Sequence, residues 1–208
     1  MKPDGNTPEF SRTKALLAET IVEMGSSVPM QRITVKKLCE KCGLQRQSFY
    51  YHFRDKYDLI AWVFMQDYRQ GLQSTEILNT EEMMRDNLRR MEQKRNFYRH
   101  ALADYSQNSL QKTLLELYVG IEEEVLKKHL RVEKLELEAW YTITGYSYAC
   151  LEHTCAWLNG ESSLTADELA RQMYLTMPGI LKTAYQSRPV PAQGDLTKSK
   201  AVKKRDTF

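Results

Sequence analysis

Apolar side chains recur every three or four residues along nearly the whole chain, the spacing of one face of an α-helix, and the strict alternation of a half-buried strand is absent. The pattern predicts an all-α fold. A first helix reads from Ser11, a good N-cap, to about Met24, with Leu16, Leu17, Ile21 and Met24 turned inward. The stretch 25–30, with Gly25, Ser26, Ser27 and Pro29, ends it. Thr34 is placed to cap a short helix over 35–42 whose inward face carries Val35, Leu38 and Cys39. Gly43 then supplies a tight turn, because glycine reaches positive φ without steric cost. A third helix follows over 46–53, and Asp55 caps a fourth that continues through Leu59, Ile60, Trp62, Val63 and Phe64 towards Arg69. Two short helices joined by a Gly-containing turn after a longer helix read as a helix-turn-helix.

Further helices are predicted at 80–94, 95–106, 109–130, 134–158 and 165–186. Thr165 and Glu168 have the spacing of a capping box, and Pro178 predicts a kink in the last helix that leaves the Tyr174 carbonyl without its usual partner. After Gln186 the composition turns to Pro, Gly, Lys and Ser, too polar to offset the entropy of ordering, so a disordered tail is expected. The chain therefore divides into a helix-turn-helix domain at 8–54, a larger helical domain at 55–186 for dimerisation and effector or partner binding, and a basic tail at 187–208.

The net charge of +3 says little alone, but residues 1–70 carry +3, residues 71–186 carry −4 and residues 187–208 carry +4, so both ends suit phosphate and the middle does not. In the tail, Lys198, Lys200, Lys203, Lys204 and Arg205 either hold the molecule loosely on DNA by counterion release or form a solvated end. The N-terminus has no apolar run of signal-peptide type and no segment is long enough to span a bilayer, which predicts a cytoplasmic protein without a membrane partner. Cys39, Cys42, Cys150 and Cys155 lie in helical stretches and are expected as reduced thiols.

Enzyme chemistry finds little support. The Cys39–Cys42 spacing lacks the second Cys or His pair of a zinc site, and the segment Gly145-Tyr-Ser-Tyr-Ala149 lies mid-helix, without the strand that precedes a nucleophile elbow. No phosphate loop, dinucleotide fingerprint or H-E-x-x-H is present, so no catalytic residue, metal or cofactor is expected.

The stretch 33–60, ITVKKLCEKCGLQRQSFYYHFRDKYDLI, resembles the N-terminal signature of the TetR family of bacterial regulators, with the likeness extending over 11–69. Phe49 and Phe53, one turn apart, can lock the third helix inward and leave Arg46, Gln47 and Tyr50 facing outward. Arg46 can then grip guanine O6 and N7, Gln47 can pair with adenine, and Tyr50 can meet a thymine methyl or a phosphate. The resemblance implies that Thr34, Tyr51, His52 and Lys56 touch phosphate and fix register; Gln45 and Ser48 complete the candidate DNA-facing set. It also implies a homodimer on a near-palindromic DNA duplex, controlled by a small-molecule effector or a protein co-regulator. Within the family, the likeness is greatest to regulators of dihydroxyacetone kinase operons. The rival reading is a helical interaction module that keeps the scaffold without binding DNA; the outward Arg46, Gln47 and Lys56 count against it.

The helix at 134–158 is rich in aromatic residues. One face carries Trp140, Ile143, Ser147, Leu151 and Leu158, and another the small residues Thr142, Gly145, Ala149 and Ala156, which would let a second copy of the helix come close in a dimer. Tyr105, Tyr118, Trp140, Tyr141, Tyr148 and His153 are candidates to line an effector pocket, and core packing is the alternative. Phe97, Tyr98 and His100 admit the same two readings.

Overall fold

A computed structural model describes residues 8–74, 80–105 and 109–187, and among them there is no strand. The expected tail and its lysines lie outside the described residues. Ten helices account for most of what is described: α1 (Pro8–Ser27), α2 (Val35–Cys42), α3 (Arg46–His52), α4 (Lys56–Ser74), α5 (Thr80–Gln93), α6 (Arg95–Leu102), α7 (Leu110–Leu130), α8 (Leu137–Asn159), α9 (Ala166–Thr176) and α10 (Gly179–Gln186). They form two compact units. The first takes the chain up to Gln66 together with Lys94–Leu110; the second takes Asp67–Gln93 and the chain from Gln111 onward. The first unit is thus larger than the 8–54 segment expected, because it includes the first half of α4 and all of α6.

In the first unit α1 packs against α2 and α6. Leu17, Ile21, Leu38, Phe49, Phe64 and Phe97 are fully buried and form its core. Leu16, expected inward, is exposed, since the buried stripe of α1 runs through Leu17 and Ile21. The helix also starts before Ser11, so Ser11 is not its cap. Gly25 lets α6 approach: a Cβ there would lie 2.4 Å from Met30 Cε and 2.9 Å from Phe97 Cδ2. His100 Nδ1 sits 2.7 Å from the Gly25 carbonyl, and Tyr57 donates from its hydroxyl to Asp104 at 2.9 Å. Phe97 and Tyr98 are therefore core residues of this unit, with Tyr98 edge-on to Phe64.

The second unit is held by α5 against α9 and by the buried faces of α7 and α8, where Leu114, Val125, Leu126, Ile143, Leu151 and Trp157 meet no solvent to speak of. The α9 start is the predicted capping box: Thr165 accepts from the Glu168 N–H and the Glu168 carboxylate accepts from the Thr165 N–H. Pro178 does more than kink the last helix. Met177 (ψ 133°) and Pro178 (ψ 138°) are both extended, so the expected 165–186 helix is two separate helices. The proline ring excludes the helical conformation at the residue before it, and the Met177 N–H closes the end of α9 by donating to Tyr174 O at 3.3 Å.

Candidate nucleic-acid interface and buried cavity

Thr34 begins the helix-turn-helix. Its extended backbone (φ −111°, ψ 153°) points Oγ1 at the open end of α2, where it accepts from the Lys37 N–H at 3.2 Å. Gly43 ends α2 in the left-handed conformation (φ 66°), and the Leu44 N–H reaches back to Cys39 O at 2.9 Å, which turns the chain within two residues. Gln45 is the extended residue before α3 and offers no side-chain cap. Across the pair, Lys41 donates to Glu23 at 2.7 Å and the Cys42 thiol to Thr20 Oγ1 at 3.2 Å, fixing α2 on α1.

On α3 the division of faces is as the spacing predicts. Phe49 and Phe53 are buried with ring centroids 5.9 Å apart, while Gln45, Arg46, Gln47, Tyr50 and Tyr51 are exposed and Ser48 is half-buried. Arg46 Nη2 donates to the Tyr50 hydroxyl at 3.3 Å, and the guanidinium lies 5.8 Å from that ring. This holds a long, costly-to-order side chain over the helix surface.

Two of the expected phosphate contacts differ from expectation. His52 is half-buried between Tyr51 and Phe53, and burial together with nearby Lys14 pushes its pKa below the usual imidazole value, which keeps the ring neutral at pH 7. Lys56 is turned inward: its ammonium donates to the carbonyls of Met30 and, at 3.0 Å, of Ile33. Burial lowers its pKa, against the opposing pull of Asp104 and Asp55. Two of its three N–H donors are engaged with buried backbone, which makes Lys56 a strut between α4 and the turn before α2. Lys36 and Lys37, which the sequence reading passed over, are exposed on the first turn of α2 beside Thr34.

A cavity of about 80 Å³ lies inside the second unit. It is lined by Tyr68, Met83, Met84, Asn87 and Leu88, by Tyr118, Ile121 and Glu122 of α7, by Tyr146, Ser147, Cys150 and Thr154 of α8, and by Met173 and Tyr185. Of the six aromatic and histidine candidates for a pocket, Tyr118 alone lines it. Tyr105 is 77% exposed, Tyr141 64%, Tyr148 51% and Trp140 40%, and His153 is exposed as well. The α8 residues among them project away from the core of the second unit. The lining includes Glu122, which an E-E-E run suggests is solvated; its position one turn after Tyr118 and next to Ile121 puts it instead on the apolar face of α7. Ser147 donates to Glu122 Oε2 at 2.7 Å, and burial pushes the carboxyl up to about 8. Tyr146 donates to Met173 O at 2.7 Å and Asn87 to the Tyr118 hydroxyl at 3.3 Å.

Comparison with known families matches residues 19–63 to "Bacterial regulatory proteins, tetR family" and residues 79–179 to a "Transcriptional regulator C-terminal region" of the TetR type. A search of curated proteins by sequence finds no match. Among solved structures the fold is similar to that of a protein named as the dihydroxyacetone kinase operon activator DhaS, at a TM-score of 0.57 and 16% identity, over 84% of this chain and 96% of that one. With the helix-turn-helix and the C-terminal region both matched, in order and over most of its length, the chain belongs to the TetR family of bacterial transcriptional regulators.

Proposed function

We propose that the protein acts in the cytoplasm as a homodimer that reads a near-palindromic operator through α3 and is controlled through its second unit. The observation that carries the DNA reading is the exposure of Arg46, Gln47 and Tyr50 on a helix pinned by buried Phe49 and Phe53, directly after the left-handed turn at Gly43. Arg46 and Gln47 stand at the N-terminal end of α3, the part of a recognition helix that meets base edges, and carry the side chains that pair bidentately with guanine and adenine. Thr34, Gln45, Ser48 and Tyr51, with Lys36 and Lys37, supply hydroxyl, amide and ammonium donors for the phosphates on either side.

Dimerisation is supported by the outward face of α8. Leu137, Trp140, Tyr141 and Tyr148 are exposed there alongside Gly145 and Ala149, and Leu175 and Ile180 are exposed on the two helices that follow. A run of apolar and small residues of this kind is what a second copy would cover. No helix among the described residues is long and apolar enough to cross a membrane. The fold likeness to a dihydroxyacetone kinase operon activator supports grouping the protein with regulators of that kind.

Selection of bound duplexes from a random library tests the proposal. A palindromic consensus is expected, with Arg46→Ala and Gln47→Ala each losing about 1–3 kcal/mol on it and relaxing discrimination at one position per half-site. Enrichment of no duplex would favour an interaction module that has kept only the scaffold.

A further inference from the structure

The cavity in the second unit contains one group whose presence ordinary packing does not explain. Glu122 is 7% exposed and its one hydrogen bond on the cavity side is to Ser147, itself 1% exposed. Burying a carboxyl with a single hydroxyl donor is costly unless something else pairs with it. Among the described residues no Lys, Arg or His lines the cavity, so none of them supplies a counter-charge there. The rest of the lining is aromatic and soft, with four tyrosines and three methionines.

An anion would be placed beside a carboxyl with no cation to receive it. A positive charge would meet the carboxylate within an aromatic lining, and aromatic rings attract cations that lie within about 6 Å of their centroids. The size is limited too: a dry cavity of about 150 Å³ accepts a benzene-sized molecule, so 80 Å³ suits something smaller, with the flexible side chains of Met83 and Met84 able to yield by an atom or two.

We propose that this cavity binds a small organic cation, an alkylammonium of roughly four to six heavy atoms, whose N–H groups pair with the Glu122 carboxylate. The proposal deepens the reading of the second unit as the regulatory part, and rests on that reading only for the step from ligand to operator. Binding is coupled to proton loss. With its carboxyl held up near 8, Glu122 is protonated in the empty cavity at neutral pH, and the incoming ammonium displaces that proton to solvent while keeping its own. The other titratable groups facing it are Tyr68 on α4, Tyr118 on α7, Tyr146 and Cys150 on α8, and Tyr185 on α10. Burial pushes Tyr68 to about 12 and Cys150 to about 11, and moves Tyr118 and Tyr146 further up, so these four keep their protons through neutral pH.

Calorimetric titration of the full chain, without DNA, with isobutylammonium, isobutanol and isobutyrate compares one carbon skeleton in three charge states. The ammonium is expected to bind with a dissociation constant of about 1 mM or tighter, within what five heavy atoms allow, and the alcohol and carboxylate at least tenfold more weakly. Between pH 6 and 7.5 its affinity should rise about tenfold per pH unit, with close to one proton released, measured from the heats in buffers of different ionisation enthalpy. Glu122→Gln, which keeps the size of the side chain and an acceptor for Ser147, should lose at least tenfold in affinity and all of the proton release. The wild-type proton count needs no variant, so the test survives a variant that folds poorly. Equal or tighter binding of the alcohol or the carboxylate, binding of the ammonium without proton release, or no binding of the ammonium at millimolar concentration would each overturn the proposal. None of these outcomes bears on operator recognition, which duplex selection measures separately.

Discussion

Replacing Lys56 by Met separates a strut from a phosphate contact. The methionine keeps most of the stem that packs beside Tyr57, whose ring lies 4.9 Å from the ammonium, and removes the charge and both hydrogen bonds. Those bonds end on the carbonyls of Met30, fully buried, and Ile33, 1% exposed, where water has little access to replace them. Hydrogen bonds from a charged donor contribute about 1.5–3 kcal/mol each, but the ammonium's own desolvation, visible in its lowered pKa, offsets part of that. A net loss of about 2 kcal/mol is the reasonable scale. For a chain of this size about 2–4 °C accompanies each kcal/mol, so the thermal midpoint should fall by about 4–8 °C.

The assay pairs thermal unfolding by circular dichroism with binding isotherms on the selected operator at several salt concentrations. A strut predicts a lower midpoint and an unchanged salt slope below the melting range. A phosphate contact predicts the reverse: an unchanged midpoint, with the slope of log K against log salt reduced by about 0.9 per lost contact. An unmoved midpoint with a reduced slope would refute the reasoning from the two carbonyl bonds.

A Cβ at Gly145 on α8 would meet nothing within 4 Å in its own chain, so Gly145→Leu should leave that chain's fold intact and still drive sedimentation towards monomer, overpacking a close helix pair by about 1–3 kcal/mol per site; an unaltered dimer would place the interface elsewhere. Thr165→Ala removes the capping box at the start of α9 and should cost about 0.5–2 kcal/mol in chemical denaturation, whereas Asp167→Asn, which breaks the exposed pair with Arg89, should cost at most about 1 kcal/mol. Glu122 gives a pH signature. Its folded pKa of about 8 lies above the ordinary 4.5, so the folded state holds a proton that the unfolded chain gives up, and the associated stability is full below pH 4.5 and lost as pH rises through about 8. Subtracting the stability of Glu122→Gln from that of wild type across pH 5–9 should isolate a falling curve; a flat difference would mean the carboxyl is ionised in the fold.

The helix-turn-helix was legible because each of its boundaries is chemical. Thr34 and Gly43 have side chains, or the lack of one, that suit one backbone conformation, and α2 occupies the span between them. The inward and outward faces of α3 followed from two phenylalanines one turn apart. The cavity was not legible in the same way, because aromatic content marks a helix without saying which of its faces turns inward. On α8 the sequence is apolar nearly all round, and the tyrosines expected to line a pocket occupy the face turned away from it. Lys56 shows a second case: a lysine at a position that the family resemblance links to phosphate carries no local sign that two carbonyls 23 and 26 residues earlier will accept its hydrogen bonds. The break at Pro178 lay between these cases, since the proline was evident and the depth of the interruption depended on Met177 also becoming extended.

The first unit is not contiguous in sequence, and this constrains how operator specificity can be moved between proteins. Its core is completed by α6, which enters only after the chain has left for the second unit and returned. A transplant of the first 66 residues onto another regulator would leave Phe97 and Tyr98 behind, uncovering α1 around Gly25 and the Met30 that follows it. The recipient's own α6 would have to present an aromatic ring shaped to a glycine that has no Cβ. Recombination at a single crossover point therefore joins mismatched halves of one core. Specificity in this architecture is exchanged more safely by rewriting the exposed positions of α3 on an unchanged scaffold, where Arg46, Gln47 and Tyr50 can be altered without replacing a buried side chain.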